Sequence, residues 1–268
     1  VYSFYLPRHT STENQHEQET DMRLIGHRGA RGEAPENTLS GFRYLRQLGV
    51  RAVELDIHVS ADNELVVIHD GFLERSTLGE GDVSTKSVQE LAAVDACHRA
   101  FPQWPDTEGV PTLRAVMEVL HDFEHIQFEV KARTEAHSKM VAEKFPLLWR
   151  EFGFGERAWS TSFNPRYLQL IRETAPDIPR GFLFELGFAG NAIATAQELE
   201  CRSIGPHQAR CTAALIQEAH GAGLWVSTWT VNEPERMRAL AKDHVDSIIT
   251  DFPSRALEQA GLFNTAAR

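Results

Sequence analysis

From Arg23 onward, short apolar runs of β type alternate with longer stretches of helical period, and that rhythm restricts the chain to a small set of layered folds. The predicted strands are 24-LIG-26, 52-AVELDI-57, 126-IQFEV-130, 157-RAWSTSF-163, 180-RGFLF-184, 201-CRSIGP-206, 224-LWVSTW-229 and 246-DSIIT-250. Between them lie helical stretches at 38–49, 112–123, 135–152, 165–174, 209–223 and 233–243, several of which start after Asn, Thr or Pro and stop at Gly. Eight strands alternating with helices is the pattern of an α/β (β/α)8 barrel. A doubly wound open sheet is the alternative, but no dinucleotide-type glycine fingerprint follows the first strand.

At 268 residues the chain exceeds most single domains, yet barrels of this kind commonly reach about 250 residues as one unit. A net charge of −11, with no lysine or arginine run, argues against nucleic acid as a partner. Three widely spaced cysteines, Cys97, Cys201 and Cys211, form no C-x-x-C pair and suggest neither a disulfide framework nor a zinc site, so a reducing cytoplasm is expected. No apolar run approaches the roughly 18 residues that span a bilayer. Residues 1–21 are polar beyond 1-VYSFYLP-7 and without period, and are expected to form a loose tail ahead of a barrel domain over residues 22–268.

The run 64-ELVVIHD-70 cannot be a ninth parallel strand, because the few residues after Asp56 are far short of the dozen or so that a crossover needs. It must return as a hairpin. With the turn centred on 61-ADNE-64, facing residue numbers sum to about 125, which sets His69 opposite Asp56.

Charge recurs at the carboxyl ends of the predicted strands, which is the rim where barrels build their chemistry. His27 and Arg28 close the first strand, Glu54 and Asp56 the second, Glu129 and Lys131 the third, and Trp229 the seventh. Glu54 and Asp56, two apart on a strand, share one face, and two neighbouring carboxylates need a positive charge between them. A structural ion-pair network with Arg28 and Lys131 would serve. Three oxygen donors with open positions suit a hard divalent ion better, Mg²⁺ foremost, with Ca²⁺ or Mn²⁺ as alternatives. His27 and His69 fall at the same rim, where one imidazole can act as base while the other acts as acid. Arg28 and Lys131 beside the metal suit an anionic group such as a phosphate. Together these groups describe phosphoryl chemistry.

The strings 27-HRGARGEAPENTLSGF-42, 54-ELD-56, 69-HD-70, 112-TL-113, 129-EVK-131, 161-TSF-163, 228-TWTVN-232 and 250-TDFP-253 closely resemble the glycerophosphodiester phosphodiesterases, over nearly everything from Met22 to about Arg255. The resemblance implies a TIM-type barrel with a small insertion, about residues 70–110, near the active-site mouth. It also implies metal-dependent hydrolysis of small-molecule glycerophosphodiesters to glycerol 3-phosphate and an alcohol. By matching positions, Glu54, Asp56 and Glu129 would bind the metal, His27 and His69 would be the acid/base pair, Arg28 and Lys131 would hold the phosphate, and Trp229 would line the glycerol pocket. Glu36 and Asn37 match too, but 36-ENT-38 opens a helix, so capping suits them at least as well as ligation.

Three other readings compete. A metal-dependent sugar isomerase or aldolase-like barrel would use rim carboxylates, but two cations and two histidines favour an anionic diester. Phospholipase D-type barrels acting on sphingomyelin are typically secreted and disulfide-bearing. A barrel that only binds phosphorylated ligands would lack one of these groups, and none is missing.

Overall fold

The computed structural model describes residues 22–259 and 261–263, so the expected tail at 1–21 lies outside the described residues. In chain order the elements are β1 (Arg23–His27), α1 (Leu39–Gln47), β2 (Ala52–Val59), β3 (Leu65–Val67), α2 (Val88–Ala92), α3 (Leu113–Val119), β4 (His125–Val130), α4 (Glu135–Glu151), β5 (Ala158–Ser162), α5 (Pro165–Thr174), β6 (Arg180–Phe184), α6 (Ala192–Glu198), β7 (Ser203–Pro206), α7 (Ala213–Gly221), β8 (Trp225–Thr228), α8 (Pro234–Lys242), β9 (Ser247–Thr250) and α9 (Pro253–Leu257).

The parallel strands run β1-β9-β8-β7-β6-β5-β4-β2, and a β1–β2 pairing closes the ring into a TIM-type barrel. Helices start where a polar side chain can replace the missing turn of backbone acceptors. Thr38, Thr112, Thr134, Thr212 and Asn191 accept from the backbone N–H three residues on, and Asn164 accepts from that of Arg166, two residues on, to cap α5. Alpha helices α6 and α9 were not anticipated, and α2 lies inside the stretch read as an insertion. The face that α6 buries is Ala192, Ile193 and Ala196, too small and too short to stand out as a period.

Alternation along each strand sorts the residues. Ile126, Phe128 and Val130 of β4 join the main apolar core, with Phe145 of α4 packed 5.2 Å from Phe128. Inside the barrel Ile25, Ala52 and Ile249 form a small apolar cluster, with Trp229 against it. Polar side chains line much of the remaining interior, among them His27, Glu54, Gln127 and Glu129.

The hairpin forms with a register one residue from expectation. Ile57 pairs with Val67, His58 with Val66 and Val59 with Leu65, so facing numbers sum to 124, and Ile68 N–H donates to the Asp56 carbonyl at 3.2 Å. Ile68, not His69, therefore stands opposite Asp56. The strand ends at Val67 and the backbone bends at His69 and Asp70, which turns the imidazole back into the barrel mouth instead of leaving it on the opposite face. Residues 71–110 then run as loops, a 3₁₀ turn and α2 around a small separate cluster of Val66, Ile68, Leu73, Val83, Leu91, Ala96 and Val110.

Candidate active site

The chain leaves β1 through a tight turn. Gly26 has room for no side chain, since an added Cβ would lie 2.1 Å from the Gly29 carbonyl oxygen. Arg28 takes a left-handed backbone at φ 52°, which costs on the order of 1–2 kcal/mol for a residue with a Cβ. That bend directs the Arg28 N–H to Glu54 Oε2 at 3.3 Å and brings its guanidinium to Asp56 Oδ2 at 3.2 Å and Glu36 Oε1 at 3.1 Å. Neighbouring β2 and β4 pair Asp56 with Glu129, so their carboxylates meet, with Glu54 one step down the same face.

Glu54, Asp56 and Glu129 are all buried, and one oxygen of each lies within 4.8 Å of the others. Lys131 Nζ lies 2.5 Å from Glu129 Oε1, a charge-assisted contact, and 3.3 Å from Asp56 Oδ1. Glu54 Oε1 and Asp56 Oδ1 are buried with no hydrogen bond, and they converge with Glu129 Oε1, whose close partner is the Lys131 ammonium. A buried anionic oxygen without a donor is costly, and a hard divalent ion would satisfy all three at once. The donor set fits the ion the sequence suggested.

Electrostatics divides the three carboxylates. Burial and the charges of Asp56 and Glu129 push the Glu54 pKa well above the ordinary range. Burial raises Glu129 to about 6 despite Lys131. Burial opposes ionisation of Asp56 as well, but Lys131, Arg28 and the Asn37 amide, 2.8 Å from Oδ2, outweigh it and hold its pKa below normal. Asp56 is the anchor of negative charge to which both cations are tied.

Both histidines line the same cavity, of about 200 Å³, together with Arg28, Arg31, Glu54, Glu129, Lys131 and Trp229. Drug-sized ligand sites run to roughly 300–1,000 Å³, so this one suits a small polar molecule. His27 places Nδ1 2.6 Å from Asp251 Oδ1 and Nε2 3.8 Å from Glu54 Oε2. His69 places Nδ1 2.7 Å from Asp70 Oδ1. Burial lowers the pKa of both, that of His69 to about 4, with the nearby Asp56 carboxylate opposing the shift and Lys131 and Arg28 adding to it. Trp229 packs edge-to-face on Phe163 at 5.4 Å, and Thr161, Leu183 and Glu185 complete that side of the cavity.

A family model described as the glycerophosphoryl diester phosphodiesterase family matches residues 27–255. The chain belongs to that family. It is 32% identical over 231 residues to a glycerophosphodiester phosphodiesterase of Caldanaerobacter subterraneus subsp. tengcongensis, covering 86% of this chain and 94% of the relative. Among solved structures it is similar to a phosphodiesterase of Oleispira antarctica bound to the product sn-glycerol-3-phosphate, with TM-score 0.82, 25% identity, and coverage of 88% and 96% of the two chains. A glycerophosphodiester phosphodiesterase of Agrobacterium tumefaciens str. C58 is similar with TM-score 0.76, 27% identity, and coverage of 88% and 98%.

In this glycerophosphodiester phosphodiesterase all eight residues singled out from the sequence meet at one mouth. Glu36 and Asn37 have different work from the capping considered above. Thr38 caps α1, Asn37 donates to Asp56, and Glu36 forms ion pairs with Arg28 and Arg75. Four site neighbours escaped the sequence reading: Arg31, which lines the cavity; Arg75, which bonds both Glu36 and Asp70; and the pair Asn232 and Asp251. The last two stood inside the quoted motifs 228-TWTVN-232 and 250-TDFP-253, which was the available signal. Among the described residues no helix is long and apolar enough to cross a membrane.

Proposed function

We propose that this enzyme hydrolyses glycerophosphodiesters to glycerol 3-phosphate and an alcohol by a metal-dependent reaction in which His27 and His69 transfer the protons. The observation that carries this reading is the set of three buried, converging carboxylates, two of which keep an oxygen without a hydrogen bond, flanked by Arg28 and Lys131 and opening onto a cavity shared by two imidazoles. The relative from Oleispira antarctica bound to sn-glycerol-3-phosphate supports the choice of product.

Glu54, Asp56 and Glu129 would hold the ion, Mg²⁺ foremost. When bound, such an ion supplies Lewis-acid stabilisation of charge on the phosphoryl oxygens. Arg28 and Lys131 bind and orient the diester, Arg28 with the geometry for paired hydrogen bonds to two of its oxygens. One imidazole takes the proton from the attacking hydroxyl, water or the substrate's own glycerol hydroxyl, while the other gives a proton to the departing alkoxide. Lowered pKa values keep both imidazoles neutral at rest, so either can begin as the base, and the partner gains its proton only with substrate charge beside it. Trp229 and Phe163 form the apolar wall against which the glycerol carbons lie. The segment 71–110, the proposed small insertion, meets the site through Arg75, which bonds Asp70 and Glu36. Three buried thiols, Cys97, Cys201 and Cys211, suit a cytoplasmic setting.

The test is release of glycerol 3-phosphate from glycerophosphocholine, glycerophosphoethanolamine and glycerophosphoglycerol, with and without chelator. Activity should vanish on chelation and return with Mg²⁺, Mn²⁺ or Ca²⁺. Full activity in protein shown metal-free by elemental analysis refutes the metal role, and release of free glycerol with the alcohol phosphate refutes the assigned bond cleavage.

A further inference from the structure

Two of the sequence motifs, 228-TWTVN-232 and 250-TDFP-253, contribute no metal ligand and no proton-transfer group, yet their polar side chains interlock. Asn232 Oδ1 accepts from the Asp251 N–H at 3.0 Å and from the Thr250 hydroxyl at 3.2 Å. Asn232 Nδ2 donates to Asp251 Oδ2 at 2.9 Å. The other oxygen, Oδ1, lies 2.6 Å from His27 Nδ1. Barrel closure makes this possible: β1 and β9 pair in parallel with Gly26 opposite Thr250, so His27 and Asp251 leave adjacent strands at the next step. Both are nearly buried, at 8% and 9% exposure, so water competes little for the link.

The atoms leave one arrangement. An ionised carboxylate only accepts hydrogen bonds, so Nδ1 carries a proton, and in the neutral ring Nε2 keeps its lone pair. Nε2 is the nitrogen on the Glu54 side, toward the cavity. We propose that Asp251, itself held by Asn232, is the positioning residue that fixes His27 in the Nδ1–H tautomer with Nε2 presented to the substrate. The inference rests on the proposed acid/base role of His27. It adds that Nε2 is the atom that takes or gives the proton, and that Asp251 stabilises the imidazolium formed when it does.

Asp251→Asn separates positioning from packing, because it keeps the shape and changes the hydrogen-bond direction. Asn232 Nδ2 still needs an acceptor, so Asn at 251 must turn its oxygen to Asn232 and its NH₂ to His27, which forces the other tautomer. In the Mg²⁺-loaded enzyme kcat should fall on the order of 10²–10⁴-fold while KM changes less than a few-fold. The exchange of both groups, Asn232→Asp with Asp251→Asn, lets the amide at 251 give its NH₂ to the new carboxylate and its oxygen back to Nδ1. It should recover at least about tenfold of the lost kcat, an effect that simple loss of a buried contact cannot produce.

Nitrogen-15 NMR of His27 gives a second readout that does not depend on turnover: Nδ1–H in the wild type, Nε2–H in Asp251→Asn. A wild-type Nε2–H tautomer overturns the proposal, and it can be read even if every variant fails to fold. A folded Asp251→Asn with kcat within threefold of wild type also overturns it. His27→Gln is the control for the underlying reading. If it retains turnover, the acid/base assignment fails, whereas loss in His27→Gln with none in Asp251→Asn defeats only the positioning role.

Discussion

The barrel carries a polar layer at each end of its strands, and the two are built on opposite terms. Towards the amino end His125, Trp159, Trp225, Ser227 and Ser247 form a closely packed set, and Gln127 reaches from it to the floor of the cavity. Gln127 Nε2 is 3.0 Å from both His125 Nε2 and Ser227 Oγ, Trp225 donates to Ser247 Oγ at 3.0 Å, and the His125 ring sits 4.7 Å from Trp159 and 6.5 Å from Trp225. Burial and the charge on Arg23 lower the His125 pKa to about 3, so it is a neutral packing residue. At the carboxyl end, two residues beyond Gln127 on the same strand, Glu129 meets Glu54 and Asp56, which leave buried oxygens without a hydrogen bond, and like charges crowd together. One layer is satisfied and contributes stability; the other is frustrated until something enters it. The contrast teaches that burial of polar groups alone does not mark a site, whereas burial with unmet bonding capacity does.

Exchanging the two ends' roles should fail most visibly at the histidines. His27→Ala or His69→Ala should lower turnover on the order of 10²–10⁴-fold with the fold retained, measured by glycerol 3-phosphate release and circular dichroism. Near-normal turnover in either would remove that residue from the mechanism.

His125→Ala should do the reverse, costing about 2–4 kcal/mol in urea unfolding while the folded enzyme keeps turnover within a few-fold. The pH dependence sharpens this. Because the folded pKa of His125 lies below the unfolded value near 6.5, its stabilisation is complete above that pH and declines as pH falls toward 3. Between pH 6.5 and 5 the wild type should lose roughly 2 kcal/mol more than His125→Gln. Equal losses would show that His125 takes up its proton in the fold.

A smaller effect is expected at Arg28, where Arg28→Lys keeps charge near Asp56 but loses the planar fork. Its kcat/KM should drop about tenfold, near 1.4 kcal/mol, with part of the loss in kcat. Unchanged steady-state kinetics on glycerophosphocholine would reduce Arg28 to a source of field.

The smallest concerns stability at the carboxyl end. Glu54 has a raised pKa in the fold, so at neutral pH its ionised form weighs against the metal-free protein, and the neutral amide of Glu54→Gln relieves that. Metal-free Glu54→Gln should melt a few degrees higher, for about 1 kcal/mol, and should lose the rise in melting temperature that Mg²⁺ gives the wild type. A lower melting temperature without metal would mean that Glu54 is stabilising in its own right and the two layers are more alike than their bonding suggests.

What was legible in the sequence follows from short-range physics. A strand alternates its faces every residue, so the apolar positions of 126-IQFEV-130 and 180-RGFLF-184 announced the strands, and the spacing of Glu54, Asp56 and Glu129 announced one charged rim. Helix starts were marked by Thr and Asn because capping is a contact over two or three residues. Short α6 with its alanine-rich buried face carried too little period to register. The hairpin was readable as a hairpin, but its register depended on the turn geometry and shifted by one, to Ile68 opposite Asp56.

By itself, then, the sequence determined the order of strands and helices, the rim on which charge gathers and the kinds of group available there, since each is set by residues near one another along the chain. Tertiary structure alone decided which groups are bonded and which are left wanting. Asp251 reaches His27 across 224 residues only because barrel closure lays β9 beside β1. The carboxylate cluster exists only because β2 and β4 pair in the register that sets Asp56 against Glu129, with Lys131 beside both. Hydrogen bonding is directional and acts at contact distance, so its presence or absence is a property of the assembled barrel and not of any stretch of sequence.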